Sequence, residues 1–272
     1  MKNNILVPTD LTEAADKAIA QAIILARKME AGIILVHVLT DRSEPAEVIE
    51  MTLNAQGSRT HKKTGIICET RLLRGGLFTA MEKYTKENPP SLMVVGTHGI
   101  RGLRQKLLGA DILKLVSRVH VPSLVVQKTS PLIEKLSRIV LPAASHSSFH
   151  ASVDIVARVA EVFHSEVHLY TVEKPGFDWP DQLVRNIQEA TRVFNARKIK
   201  LKRVNEEQSV YSQGYAKQTL KYARSVHADT ICIMAVPSRE YHYFAQSDKE
   251  TILLNEDRIS ILCAGGGTGK EQ

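Results

Sequence analysis

Residues 134 positions apart recur in the same order along this chain, pairing Pro8 with Pro142, Ala26 with Ala160 and Val38 with Val172 without a gap. The first copy opens on Ile5-Leu6-Val7-Pro8, continues through a long helical pattern and reaches Ile33-Ile34-Leu35-Val36-His37-Val38. The second opens on Ile139-Val140-Leu141-Pro142, predicts a helix from about His150 to Phe163, and reaches a strand from Val167 to Val172. The later parts agree too: Gly76 to Tyr84 is similar to Gly214 to Tyr222, and Ser91 to Val95 to Thr230 to Met234. A fixed interval of this length indicates a duplicated domain, so each half must fold by the same plan.

Short apolar runs of this kind are the mark of parallel strands buried on both faces. Between the first two, Ala15, Ala18, Ile19, Ala22, Ile23 and Ala26 fall at helical spacing within Glu13 to Met29, giving one apolar stripe. Each half therefore reads as a right-handed βαβ unit extended by further strands and helices, and ends on a strand, Ser123 to Gln127 or Ser260 to Cys263. The predicted fold class is α/β, with two tandem open parallel sheets. The polar segment Lys128-Thr129-Ser130-Pro131 marks the linker, giving domains at 1–128 and 135–264 and a glycine-rich tail at 265–272.

Composition narrows the class further. Apolar residues make up 43% and charged residues 24%, as in water-soluble domains. The sequence carries no apolar run long enough for a membrane span and no signal-peptide pattern, so a cytoplasmic location without membrane attachment is expected. Cys68, Cys232 and Cys263 show no paired spacing and read as reduced, mostly buried thiols. The net charge is +7, but only Lys198, Lys200, Lys202 and Arg203 form a dense basic run, without aromatic interleaving, and a nucleic-acid partner is not expected.

The chemistry concentrates after the strand ending at Val95. Gly96-Thr97-His98-Gly99 is followed by nine residues and then by Gly109-Ala110. Glycines at a strand's carboxyl end permit close backbone approach, and amides at the next helix start can hold an anion such as phosphate. Asp10, in Pro8-Thr9-Asp10, follows the first strand and reaches the same edge of the sheet, where ligands of open parallel sheets bind.

In these features the chain resembles the universal stress protein family, whose ATP-binding members carry Gly-x2-Gly-x9-Gly-Ser/Thr. Gly96, Gly99 and Gly109 match and Ala110 departs. The resemblance covers nearly the whole chain as two such domains, of the adenine-nucleotide alpha-hydrolase-like fold. It implies ATP or another adenine nucleotide, with or without Mg, and no tightly bound metal. It places Pro8, Thr9, Asp10 and Val38 beside adenine and ribose, Val95 and Gly96 beside the sugar, and Thr97, His98, Gly99, Gly109 and Ala110 along the phosphates. It also implies pairing through the last strands, satisfied within the duplicated chain or in a homodimer.

The second half aligns Ala143-Ala144 with Thr9-Asp10 and Ala235-Val236-Pro237-Ser238 with Gly96-Thr97-His98-Gly99, so its pocket is expected to be empty. His146 and His150 stand four apart but lack a third metal ligand, and Gly265 to Lys270 lacks the helix a phosphate loop needs. No catalytic residue set is found. The expected function is a stress-response module that binds nucleotide in its first domain and signals by docking a protein partner. A nucleotide-independent scaffold and a weak ATPase are the alternatives.

Overall fold

The computed structural model describes residues 3–11, 13–40, 45–97, 109–119, 121–173, 176, 178–207, 215–235 and 246–265. The chain divides into two compact units, Met1–Glu134 and Lys135–Gln272. The first contains β1 (Asn4–Pro8), α1 (Glu13–Met29), β2 (Gly32–Leu39), α2 (Ala46–Thr64), β3 (Cys68–Arg74), α3 (Leu77–Glu87), β4 (Leu92–Gly96), α4 (Gly109–Arg118) and β5 (Ser123–Val126). Its strands are all parallel, in the order β3-β2-β1-β4-β5.

The second unit repeats this plan with β6 (Arg138–Pro142), α5 (Phe149–Phe163), β7 (Glu166–Glu173), α6 (Asp181–Ala196), β8 (Lys200–Glu207), α7 (Tyr215–Ser225), β9 (Thr230–Met234), α8 (Gln246–Leu253) and β10 (Ser260–Ala264). Its parallel order, β8-β7-β6-β9-β10, is that of the first unit strand for strand. Both units are thus open α/β sheets of one topology.

Burial explains the strand pattern. Ile5, Leu6 and Val7, and likewise Ile139, Val140 and Leu141, are fully buried whichever face they take, as a sheet covered on both sides requires. Helix α1 packs against β1 and β4 through buried Ala15, Ala18, Ile19, Ala22, Leu25 and Ala26. The small alanines let the helix come close to the sheet. Its buried stripe passes through Leu25, while Ile23 is only half-buried.

Helix α2 is the element that periodicity signals least. Only Leu53, Gly57 and Thr60 of its residues are buried, and Val48 and Met51 are exposed. By contrast α6 buries Leu183, Ile187, Ala190 and Phe194, a regular i, i+4, i+7, i+11 face. The basic run divides at the start of β8. Lys200 and Lys202 are exposed strand residues, but Lys198 precedes the strand in the left-handed region at φ 56°. Lys200 pairs with Glu166 at 3.2 Å, and at the surface such a pair is a solvated one.

Residues 128–134 fall within the first unit, and one side chain ties them to it. Gln21, 1% exposed on α1, donates from Nε2 to the Ile133 carbonyl at 3.1 Å and accepts the Ile133 N–H at Oε1 at 2.8 Å. The amide therefore satisfies both backbone groups of a buried residue. Replacing it with alanine leaves two buried polar groups unsatisfied, at a cost of about 1–3 kcal/mol. Gln21→Ala is expected to lower the urea midpoint accordingly and to open the 128–134 segment to limited proteolysis.

Candidate functional site

The first unit's topology fixes where its loops meet. From β1 the chain moves outward to β2 and β3, and from β3 it crosses to β4 on the other side of β1. The carboxyl ends of β1 and β4 therefore send their following segments to opposite sides, opening a crevice at the sheet edge. Pro8, Val38 and Gly96 stand at or near the carboxyl ends of the adjacent strands β1, β2 and β4.

The turn after β1 is closely specified. The Thr9 N–H donates to the Val36 carbonyl at 2.8 Å, extending the β1–β2 ladder by one residue. The Thr9 hydroxyl oxygen then accepts the Leu11 N–H at 3.1 Å. Leu11 takes the left-handed conformation, φ 62°, and the chain turns away with Asp10 only 8% exposed. A small polar residue followed by an acid is what this turn accommodates.

His37 supports it from β2. Its Nδ1 lies 2.9 Å from the Thr9 carbonyl, which can only accept, so Nδ1 carries the proton and donates. Burial lowers the pKa of this imidazole, against the opposing pull of the Thr9 hydrogen bond and the Asp10 charge. It is therefore a neutral core histidine that braces the Thr9-Asp10 turn. Which backbone group His37 reaches depends on the register of β1 and β2.

On the β4 side Val95 and Thr97 are 0% and 1% exposed, and Gly96 pairs with Val126. The Thr97 N–H donates to the Val126 carbonyl at 3.0 Å, so the ladder also runs past the end of β4. His98 and Gly99 lie outside the described residues. Helix α4 begins at Gly109, with Ala110 exposed and Asp111 in the first turn. Val38 is half-buried near the end of β2. Of the residues singled out, the sheet thus gathers Pro8, Thr9, Asp10, Val38, Val95, Gly96 and Thr97 along one edge.

The second unit keeps the frame and changes the chemistry. The Ala143 N–H donates to the Tyr170 carbonyl at 2.8 Å, the counterpart of the Thr9–Val36 bond. Ala143 and Ala144 are buried and offer no polar side chain. The Tyr215 hydroxyl lies 3.2 Å from the Ala143 carbonyl and 3.3 Å from that of Tyr170. Asn186 Nδ2 donates to the carbonyls of Ala144 and His146 at 2.7 and 2.9 Å. Backbone acceptors at this edge are thus occupied by the protein's own side chains. In sequence the signal was available as Val36 and Leu77 replaced by Tyr170 and Tyr215 at the repeat positions.

Helix α8 differs as well. Lys249 stands where α4 has Ile112, at equal distance from the following strand, and it is 2% exposed. Desolvation pushes its ammonium pKa down to about 8. Burial likewise raises the Cys68 thiol to about 11 and Cys263 to about 12, which keeps both protonated and unreactive.

Among the described residues no group of His, Cys, Asp and Glu could hold a metal ion, and no helix is long and apolar enough to cross a membrane. His146 Nδ1 accepts the Ser148 N–H and His150 Nδ1 meets the Ser147 carbonyl, both at 3.0 Å, so each ring serves its own turn.

An open parallel sheet of this order, with a polar turn after β1 and a glycine-ended β4, defines a recognisable class. Residues 1–127 match the sequence model described as the Universal stress protein family. A universal stress protein of Methanocaldococcus jannaschii is 29% identical over 139 residues, covering 46% of this chain and 81% of its own. The crystal structure of a universal stress protein from Archaeoglobus fulgidus DSM 4304 superposes with a TM-score of 0.71 at 16% identity, covering 98% of this chain and 97% of that one. A Pseudomonas aeruginosa UCBPP-PA14 protein assigned to the same family gives a TM-score of 0.61 at 14% identity, covering 97% and 93%. The first unit thus carries the sequence match to the universal stress protein family, and the second repeats its fold.

Burial of a neutral His37 has a measurable consequence. The unfolded chain binds a proton at this residue below about pH 6.5, whereas the folded protein resists it to lower pH. Its contribution is therefore fully present above that pH and is lost as the pH falls from there toward the depressed folded value. Urea midpoints across this range should fall less steeply for His37→Gln than for the parent.

Proposed function

We propose that the first unit binds ATP or a related adenine nucleotide, and that occupancy alters a surface read by a protein partner. The observation that carries this reading is the convergence of Pro8-Thr9-Asp10, Val38 and Val95-Gly96-Thr97 on the carboxyl edge of three adjacent parallel strands. Asp10 brings an acidic group to the end of β1, suited to ribose hydroxyls. Gly96 brings no side chain to the end of β4, which permits close backbone approach. The start of α4 at Gly109-Ala110 offers backbone amides to phosphate. The match of residues 1–127 to the universal stress protein family supports the same reading. The second unit, with Ala143 and Ala144 in place of Thr9 and Asp10 and Tyr215 over the carbonyls, serves as a structural half.

Calorimetric titration with ATP and ADP should show one site per chain, lost in Gly99→Val and weakened in Asp10→Ala. Two equal sites, or unchanged binding in both variants, would contradict the proposal.

Ala110 tests the phosphate end separately. It is exposed in the first turn of α4 and lacks the hydroxyl that the family motif supplies. Ala110→Ser is expected to tighten ATP binding about tenfold, equivalent to ~1.4 kcal/mol. It should leave adenosine, which has no phosphate, unaffected.

A further inference from the structure

Strand β7 and helix α7 of the second unit enclose a polar and aromatic group that the proposed nucleotide site of the first unit does not use. Glu166, His168 and Tyr170 alternate along one face of β7, and α7 lays Tyr215 and Tyr222 upon it. The Tyr170 ring stacks on both, with centroids 4.8 Å from Tyr222 at 21° and 6.2 Å from Tyr215 at 12°. Tyr222 is 7% exposed and His168 2%, whereas Tyr215 is half-buried among the described residues.

The polar ends of these rings are aligned. The Tyr222 hydroxyl lies 2.7 Å from His168 Nδ1. Burial lowers the His168 pKa, with Lys202 and Arg138 acting in the same sense and Glu166 against it. The imidazole is therefore neutral at neutral pH. Burial raises the Tyr222 pKa, so the phenol keeps its proton. The phenol then donates to Nδ1, and the imidazole proton sits on Nε2. Among the described residues that Nε2 has no hydrogen-bond partner; Glu166 Oε1 is 3.6 Å away. A purely structural histidine would have both nitrogens satisfied. Here one is aimed at a carboxylate and stops just short of it.

This arrangement accepts a proton from a phenol. Removing an electron from a phenol makes its hydroxyl strongly acidic, so oxidation is favourable only when a base takes the proton at the same time. His168 Nδ1 is in position to do so, and the resulting imidazolium gains the attraction of Glu166. Tyr170 has its own acceptor, since its hydroxyl donates to Glu206 at 2.8 Å, but a carboxylate is a weaker base than imidazole.

We infer that Tyr222 is a site of one-electron oxidation, with His168 as proton acceptor and the Tyr170–Tyr215 stack as the route to solvent. The oxidant is a small radical such as the carbonate or nitrogen dioxide radical, and it meets the half-buried Tyr215. One electron leaves Tyr222 for the oxidant through the stacked rings. The Oη–H bond breaks and an Nδ1–H bond forms. The products are a neutral phenoxyl radical, an imidazolium beside Glu166, and the oxidant reduced by one electron. A thiol or ascorbate returns the electron, and the proton goes back to the phenol.

Pulse radiolysis of the full chain with azide radical, followed by freeze-quench electron paramagnetic resonance, tests this. The parent should yield a long-lived phenoxyl radical, with lifetime shortened by about tenfold or more in Tyr222→Phe, a barrier change near 1.4 kcal/mol. His168→Gln keeps a hydrogen-bond acceptor for the hydroxyl but supplies no base. It should lose the radical while retaining the parent's near-ultraviolet circular dichroism and urea midpoint. Tyr222→Phe retains the ring stack and gives a second reading should the glutamine variant fail to fold. An unchanged radical in Tyr222→Phe would place oxidation on Trp179 or another tyrosine and overturn the inference. So would a folded His168→Gln that behaves like the parent, since the histidine would then be only a hydrogen-bond acceptor.

Discussion

The continuous parallel ladder of β2, β1 and β4 is the constraint on which the first unit depends. Parallel strands need crossovers that cover both faces of the sheet, and this is why Ile5, Leu6 and Val7 are all fully buried despite alternating sides. The same crossovers reverse direction between β1 and β4. Backbone bonds then extend the ladder past the ends of both strands, from Thr9 to Val36 and from Thr97 to Val126. The candidate site is therefore framed by main chain that the sheet already holds. Side chains such as Asp10 are set upon a rigid edge and are not themselves asked to build it.

Comparison of the two units separates what the fold needs from what the site needs. The bond from Ala143 to Tyr170 repeats that from Thr9 to Val36, so the frame survives the loss of both polar side chains. What replaces them is informative. Tyr215 and Asn186 supply donors to carbonyl groups at the edge of the second unit, as buried acceptors require. Lys249 in place of Ile112 is a costlier exchange, because a buried ammonium must be desolvated. The second unit has accordingly acquired its own polar interior.

Much of this organisation is readable in the sequence, for a definite reason. Strands buried on both faces, such as Ile33 to Val38, appear as unbroken apolar runs, and a gapless interval between Pro8 and Pro142 ties the copies together. The edge-forming residues were accessible because the end of each strand is also the start of a loop. Other features depend on tertiary contacts. Gln21 looks like a polar interruption near an alanine stripe, and only the fold brings Ile133 to it. The amphipathic signal of α2 is weak because Val48 and Met51 face outward. The contact of His168 with Tyr222 likewise depends on α7, which brings together residues 54 positions apart.

The left-handed residue at Leu11 has a consequence for how such a site ages. A non-glycine residue at φ 62° carries a local conformational cost of roughly 1–2 kcal/mol. Glycine would relieve it but would let the segment after Asp10 sample many more directions. Leucine narrows those directions, so the turn arrives with its geometry largely chosen before any ligand does. Random substitution at this position meets two opposed penalties, strain for most side chains and looseness for glycine. The turn is consequently a place where sequence drift is slowed by backbone mechanics alone, independently of what the neighbouring carboxylate binds.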